Sequence, residues 1–299
     1  MLPGEASLHL KTRAWEHQRG ALPMITHLEP VNEVQCAETR TTLEFRLFGA
    51  FAVRSNDGWN SGPAPKKGRE LIEYLALYPR RLATQDDLAA AFWPALDTEA
   101  VGHRIHLAAS GARVFLRALF GGVDALQCVN GSYRWNPTVR VVSDVERFLD
   151  CGRRATVDAF RTALDLYSGD FLAGEMAEWL QPTRIRVASV RACALEALAK
   201  ESLAHCEYAT ALSFGLDLIE AERGHESGAR LVMQCFAALG LRARVLEQYL
   251  LLKAYLAEQI GVDPTEETAE LARRLVGSAA VLGAEPRADR QPGRVLGRA

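Results

Sequence analysis

The chain of 299 residues lacks any run of 18 or more consecutive apolar residues, so no segment is long enough to cross a membrane as a helix. Its first 40 residues also lack a compact apolar segment followed by a small-residue cleavage site, and five glutamates are scattered through them. This pattern is unlike that of a signal peptide. We therefore expect a cytoplasmic protein that does not contact a membrane.

Cysteine is scarce, and no two cysteines form a recognisable pair. The six cysteines occur singly, without a Cys-x-x-Cys pair or a histidine at ligand spacing. They predict reduced, mostly buried thiols, and neither a disulfide framework nor a zinc site. His103 and His106 lie three residues apart and are an alternative metal pair, but no third ligand is nearby, so we expect no metal.

Catalytic and nucleotide-binding motifs are also missing. The chain contains no Gly-x-Ser-x-Gly, Ser-x-x-Lys, His-Glu-x-x-His or Gly-x-x-x-x-Gly-Lys-Ser/Thr pattern. Asp86 and Asp87 are a candidate carboxylate pair, but two acids in the first turn of a helix commonly complement the helix dipole. We expect neither an enzyme nor a cofactor.

A strong overall charge is absent, but the charge is unevenly distributed. The net charge is −2. Lys and Arg outnumber Asp and Glu by three from Leu43 to Arg140, whereas the acids lead by six from Val141 to Val276. A basic excess confined to one segment is typical of the part of a protein that approaches a polyanion.

That basic segment contains a predicted amphipathic helix, Val101–Phe120. Apolar residues recur at helical spacing and predict a buried stripe: Ile105, Ala108, Ala112, Leu116 and Leu119. A second stripe faces outward and carries hydrogen-bond donors, with Arg104 on its flank: His103, His106, Ser110, Arg113 and Arg117. Such donors suit phosphates and the acceptor-rich edge of guanine. A merely solvated basic face is the alternative reading of this stripe alone.

A short hairpin follows the helix. Leu126–Val129 and Ser132–Trp135 read as strands joined by Asn130-Gly131, the strongest short hairpin signal, and the second strand carries Arg134. Upstream, Leu43–Val53 alternates as one or two strands, and two further helices are predicted. The first is Lys66–Tyr78; the second starts at a Thr84/Asp87 capping box. Strands, three helices and a hairpin are the order of a winged helix, which favours DNA binding.

From residue 141 the pattern is helical throughout. The candidate helices are Val141–Cys151, Thr156–Tyr167, Thr183–Cys206, Tyr208–Glu222, His225–Leu239, Arg242–Ile260 and Thr265–Val276. A shift of 34 residues, the length of a tetratricopeptide repeat, superimposes Ala209 on Ala243, and we expect both small residues at close helix crossings. The sequence thus predicts an α+β winged helix over 41–140 and an all-α tetratricopeptide-like helical-repeat domain over 141–276, mainly α overall. Residues 1–40 are predicted to be a flexible N-terminal tail and residues 277–299 a disordered C-terminal tail.

Several motifs together resemble one family, the bacterial activators that join an OmpR-type winged helix to a bacterial transcriptional activator domain. The motifs are Leu47-Phe48-Gly49, Phe92-Trp93, His106-Leu107-Ala108, Asn130-Gly131-Ser132-Tyr133-Arg134, Ser143-Asp144-Val145-Glu146, Tyr167-Ser168-Gly169-Asp170-Phe171-Leu172, Leu231–Gly240 and Gly261-Val262-Asp263-Pro264. The resemblance extends from about Leu43 to Val276.

This resemblance implies a transcription activator that recruits RNA polymerase. It places the helix in the major groove of double-stranded DNA and the hairpin on the adjacent minor groove, with Lys66, Lys67 and Arg69 able to touch phosphate. By analogy, the loop Pro94–Thr98 would meet the polymerase. The resemblance further implies a homodimer on direct repeats, and a helical domain that dimerises or binds an unidentified peptide or small-molecule effector.

The sequence departs from the family where Gly111, Val114 and Phe115 occupy positions that commonly hold arginine. The small number of arginines in this helix keeps a second hypothesis open, a helical-repeat interaction scaffold with a degenerate winged helix. A hydrolase is a third hypothesis, without a motif to support it.

Overall fold

The computed structural model describes residues 41–55, 57–61, 66–78, 82–96 and 98–277, with residues 98–100 described by their backbone alone. The predicted tails lie outside this description, except for Gly277. All described residues fall in one compact unit of the chain.

Short strands and helices alternate in the first part of the described chain, and helices alone follow. The first elements are β1 (Thr42–Arg46), β2 (Ala52–Ser55), β3 (Gly58–Asn60), α1 (Lys66–Leu77), α2 (Gln85–Phe92), α3 (Thr98–Leu119), β4 (Leu126–Val129), β5 (Ser132–Trp135) and β6 (Arg140–Ser143). The helices that follow are α4 (Asp144–Arg154), α5 (Val157–Leu166), α6 (Gln181–Ala204), α7 (Tyr208–Ala221), α8 (Glu226–Ala238), α9 (Arg242–Gln259) and α10 (Glu266–Val276), with a 3₁₀ turn at Glu178–Leu180. This order confirms the predicted fold class.

Four strands form a sheet in the order β3-β2-β1-β6. β1 alternates as predicted, because Leu43 and Phe45 are buried while the ends of the strand are exposed. β1 pairs antiparallel with β2 and parallel with β6, which places Thr42 opposite Arg140. The prediction of a helix from Val141 is therefore wrong for its first three residues, since the helix begins at Asp144. A four-residue strand whose partner lies about a hundred residues earlier leaves no local period to read.

Helices α1 and α3 cross closely at Gly68. A Cβ atom at this position would lie 3.1 Å from the carbonyl oxygen of Ala108 and 3.2 Å from the backbone nitrogen of Ala112. A side chain at this position would push the two backbones apart by a few tenths of an ångström. The predicted capping box of α2 is confirmed, because the Thr84 hydroxyl accepts from the Asp87 N–H and the Asp87 carboxylate accepts from the Thr84 N–H, both at 3.0 Å.

Asp144 joins the sheet to the helices that follow it. Its carboxylate accepts hydrogen bonds from the backbone N–H groups of Leu47 at 2.8 Å and Phe48 at 3.0 Å. The Phe48 ring packs on Phe148 of α4 and on Tyr167 after α5, with ring centroids 5.1 and 5.0 Å apart. One hydrophobic core consequently runs from the sheet through α4 and α5 to the start of α6.

Each of the helices α6 to α10 packs against its neighbour in sequence, and α7 and α9 start 34 residues apart. The prediction that Ala209 and Ala243 lie at close crossings is wrong, because both are exposed. Close approach depends on glycine instead: a Cβ on Gly215 would lie 2.8 Å from Val232, and one on Gly228 would lie 3.0 Å from Leu218.

The described cysteines are free thiols, as expected, but the expectation that they are mostly buried is wrong. Cys151 and Cys235 are buried, whereas Cys128, Cys193 and Cys206 are exposed. Among the described residues, no helix is both long and apolar enough to cross a membrane.

Candidate nucleic-acid interface

Helix α3 turns its predicted apolar stripe into the core. Four of the five stripe residues are buried, and Leu119 is half-buried: Ile105, Ala108, Ala112 and Leu116. The opposite face is exposed and carries five of the predicted donors: His103, Arg104, His106, Ser110 and Arg117. Residues 101–119 contain no Asp or Glu, so this face carries positive charge only.

The wing, defined as β4, β5, their turn and the two residues that precede β4, docks on one side of α3 through three of the predicted donors. The Arg113 Nε–H donates to the carbonyl oxygen of Leu126 at 2.9 Å, and Arg113 is half-buried. Arg117 pairs with Asp124 at 3.0 Å. The His106 Nδ1 lies 3.0 Å from the Tyr133 hydroxyl. These side chains therefore hold the wing against the helix, a role that the sequence did not reveal.

The wing itself forms as the sequence predicts. Asn130 and Gly131 have φ of 50° and 78°, the left-handed values that a tight hairpin turn requires. Ala83 extends the wing, because its N–H donates to the Tyr133 carbonyl and its carbonyl accepts from the Tyr133 N–H, both at 2.8 Å. The Nε atom of Arg134 is buried and has no hydrogen-bond partner among the described residues, so this part of the side chain faces inward.

Burial controls the chemistry of Tyr133. The side chain is fully buried between α3 and the wing. This burial raises the pKa of the phenol above its ordinary value, and the nearby Arg113 opposes the shift. The shift extends the pH range over which the hydroxyl stays protonated and able to hydrogen-bond His106.

The outermost line of α3 carries apolar residues that the sequence analysis did not include among site residues. We define the ridge as His103, Leu107, Ser110 and Val114, which recur at steps of four, three and four. Leu107 is 58% exposed and Val114 is 67% exposed. The 4-3-4 spacing of the ridge is present in the sequence, but the exposure of its two aliphatic residues depends on the tertiary structure.

The cations at the start of α1, predicted to touch phosphate, lie in a cluster of acids. Lys67 pairs with Glu70 at 2.7 Å, and Lys66 lies 3.6 Å from Glu175. Arg69 pairs with Glu175 as well. Since Glu175 precedes α6, the pairs that Lys66 and Arg69 form with it fasten the winged helix to the helical part of the chain. A contact of any of the three cations to phosphate would compete with its ion pair.

Glu73 is the most deeply buried acid of this cluster. The Arg69 Nε lies 3.2 Å from the Glu73 Oε1, close enough for an ion pair but not aligned as a hydrogen bond. Burial raises the pKa of Glu73 from 4.5 to about 7, Arg69 lowers it, and Glu175 and Glu70 raise it further. Near neutral pH this carboxyl therefore changes its protonation state.

The helical part has a groove of its own. It has a volume of about 690 Å³ and lies between the segment after α5 and helix α6. Met176 and Ile185 on its rim are 84% and 66% exposed, and the Arg191 guanidinium lies 4.7 Å from the centre of the Tyr167 ring. Apolar and cationic surface thus meet in one depression.

Comparison with known proteins adds a family to this geometry. Residues 140–276 match the family described as the bacterial transcriptional activator domain. Two curated proteins named Regulatory protein AfsR, from Streptomyces coelicolor and Streptomyces griseus, are each 28% identical over 251 and 250 residues. These alignments cover 80% of this chain and 25% of each relative, so the chain spans about a quarter of the length of the curated relatives it matches.

A solved structure shares the fold. Mycobacterium tuberculosis EmbR, in complex with a low affinity phosphopeptide, matches with a TM-score of 0.63 and 19% sequence identity. The match covers 79% of this chain and 65% of that chain. It therefore extends beyond the matched domain, which makes up less than half of the residues, and includes elements of the winged-helix part.

Proposed function

We propose that this chain, whose residues 140–276 match the bacterial transcriptional activator domain, is a transcription regulator that binds DNA at specific sites. The observation that carries the proposal is the exposed face of α3, which bears His103, Arg104, Ser110 and Arg117 on a stretch without acids. Such a helix can enter the major groove, which is about 12 Å wide.

The wing supports this placement of α3. Its contacts through His106, Arg113 and Arg117 set the angle between hairpin and helix. We propose that the turn at Gly131 lies over the minor groove next to the bases that α3 reads. Each phosphate neutralised should steepen the dependence of log K on log salt concentration by about 0.9.

Two classes of protein partner belong to the proposal. The family description is that of an activator, so we propose contact with RNA polymerase through the loop that precedes α3, and binding as a homodimer on direct repeats. The groove beside α6 is where we place the peptide or small-molecule effector.

A regulator of this kind acts where the chromosome is, so we propose a cytoplasmic location at the nucleoid. We propose no catalytic activity.

The test is footprinting of the purified full chain on sheared genomic DNA of its host. Arg104→Ala combined with Arg117→Ala should remove the discrete sites or weaken them roughly tenfold or more, because both side chains are exposed on α3. The matched control combines Arg186→Ala with Arg223→Ala, which removes two exposed cations from the helical part. Absence of discrete sites, or sites that persist in the α3 variant, would overturn the proposal.

The interaction scaffold is a second candidate, favoured by one observation. Three of the predicted donors, His106, Arg113 and Arg117, are engaged with the wing and are only partly available to DNA. The same footprinting separates the two functions, because a scaffold with a degenerate winged helix yields no enriched sites while its fold remains intact.

A further inference from the structure

Two branched aliphatic side chains stand on the outermost line of the helix proposed to read DNA. Leu107 and Val114, both on the ridge, are 58% and 67% exposed. Single exposed aliphatics are ordinary on protein surfaces, but two on one face of the proposed contact helix form a patch. The patch is part of the contact surface itself.

An open groove runs along the patch. It has a volume of about 850 Å³, and Trp93, Gly111 and Ala118 help to line it together with Leu107 and Val114. The small side chains at positions 111 and 118 leave space beside the two aliphatics. No described part of the chain fills this space.

The charge around the patch selects its occupant. Arg104 lines the same groove and His103 lies on the exposed face beside it. Lys67 and Arg117 are also near the patch, but they are paired with Glu70 and Asp124. Since residues 101–119 contain no acid, the patch is apolar within a positive frame. The major groove of DNA offers the complementary surface, because thymine C5-methyl groups lie there between two rows of phosphates.

The spacing of the two residues fits that surface. Seven helical residues correspond to roughly 10.5 Å along the axis of α3. Successive base pairs are about 3.4 Å apart, so this distance corresponds to roughly three base pairs. Ser110, between the two aliphatics on the ridge, can donate to or accept from a base edge in the interval.

We propose that α3 reads thymine through Leu107 and Val114, each packing on a C5-methyl group, with the two thymines about three base pairs apart. This inference rests on the proposed function and adds the base that the sites contain. It also explains how a contact helix with few arginines can be selective, since apolar contact with the methyl group separates thymine from cytosine and from uracil.

The test removes single methyl groups from the DNA. A preferred duplex is first selected from a random library with the full chain, and each thymine is then replaced in turn by deoxyuridine, which differs only by the methyl group. We expect the affinity to fall roughly threefold to fivefold at two positions and to be unchanged elsewhere.

Protein variants assign each methyl group to its side chain. Leu107→Ala should bind the thymine and deoxyuridine duplexes equally at one position, and Val114→Ala should do so at the other. Leu107→Met should keep the methyl preference, because it keeps an apolar contact. Ile185→Ala, which truncates a 66% exposed aliphatic on α6, is the matched control and should retain both preferences.

Each outcome decides the inference. Loss of the thymine preference at one position in Leu107→Ala and at the other position in Val114→Ala supports it. A selected duplex that is indifferent to deoxyuridine overturns it and leaves the proposed function standing, whereas failure to select any duplex overturns both. If the Ala variants change the oligomeric state or polymerase binding at unchanged DNA affinity, the patch docks protein and the inference is wrong.

Discussion

At the scale of single residues, Glu73 links the stability of the winged helix to pH. Its pKa of about 7 in the folded protein exceeds the ordinary 4.5, so the folded state binds the proton more tightly than the unfolded state does. The stabilising effect of this proton is complete below about pH 4.5 and is lost as the pH rises through about 7. The carboxylate then remains buried with Arg69 as its nearest cation.

We therefore expect Glu73→Gln to be less sensitive to pH than the unchanged protein. Between pH 5 and pH 8 the free energy of unfolding should fall by an extra amount on the order of 3 kcal/mol in the protein with Glu73, and the variant should lack this term. Denaturant melts at both pH values measure it, with the exposed Glu220→Gln as control. Equal slopes for all three proteins would contradict the assignment.

The two arginines near the end of α3 should differ in what they contribute to folding. Arg113 is half-buried, donates to the Leu126 carbonyl and lies 6.0 Å from the centre of the Tyr133 ring. Arg117 pairs with Asp124, and both side chains are about half exposed. A hydrogen bond to the carbonyl of the buried Leu126 stabilises more than an exposed ion pair does.

Arg113→Ala should consequently lower the free energy of unfolding by about 1 kcal/mol, and Arg117→Ala by less than about 0.5 kcal/mol. Urea denaturation followed by tryptophan fluorescence measures both, because Trp135 lies in the wing. The prediction fails if the two variants are equally stable. A loss of DNA affinity in Arg117→Ala is then a clean readout of contact, whereas one in Arg113→Ala includes movement of the wing.

At the scale of elements, the crossing of α1 over α3 depends on one missing side chain. A Cβ on Gly68 would meet backbone atoms of Ala108 and Ala112, and backbone cannot rotate away as a side chain can. Gly102, also helical, has a neighbour no closer than 3.9 Å, the Gln85 amide oxygen. A side chain therefore has no free space at position 68, whereas position 102 has room for one.

Gly68→Ala should lower the free energy of unfolding by about 1–3 kcal/mol through overpacking. Gly102→Ala should raise it by about 0.5–1 kcal/mol, because alanine is the better helix former and the space is open. Thermal melts followed by circular dichroism compare the pair. A stabilised Gly68→Ala variant would show that α1 can shift away from α3 at little expense.

At the scale of the whole molecule, the winged helix and the first helices behind it share one core. The backbone N–H groups of Leu47 and Phe48 donate to the Asp144 carboxylate, and the Phe48 ring packs on rings from α4 and the segment after α5. The far end of the chain has a separate cluster, in which Met233 and Tyr249 pack with Leu271. The domain boundary at residues 140 and 141 stays a prediction about the sequence, and the core does not divide there.

Native-state hydrogen exchange should follow this division. Amides of β1 and α4 are expected to exchange with the same opening free energy, because one core holds both, while α9 and α10 open separately at a smaller free energy. Exchange measured against denaturant concentration shows the groups directly. Opening of β1 without α4 would mean that the shared core does not couple them.

Local patterns allowed much of this architecture to be read from the sequence. The wing strands were predicted at the residues where they occur, because Asn130-Gly131 permits little besides a tight turn. The buried stripe of α3 and the capping box at Thr84 follow in the same way, since their interactions span three or four residues. Motifs around Ser143 and Tyr167 were enough to indicate the family that residues 140–276 match.

Distant contacts decided the rest. The sequence predicts the start of a helix where β6 forms, because the partner strand of β6, β1, lies about a hundred residues away. Arg69 reads as a free cation until folding brings Glu175, 106 residues along the chain, beside it. The structure shows that Leu107 and Val114 are exposed on α3, while the neighbouring Arg113 is hydrogen-bonded to the wing. The sequence by itself determined the helices and the hairpin of the wing, since their signals are local, but not the strand β6. The tertiary structure alone decided which side chains remain free for a partner, because freedom depends on what the rest of the chain has already bound.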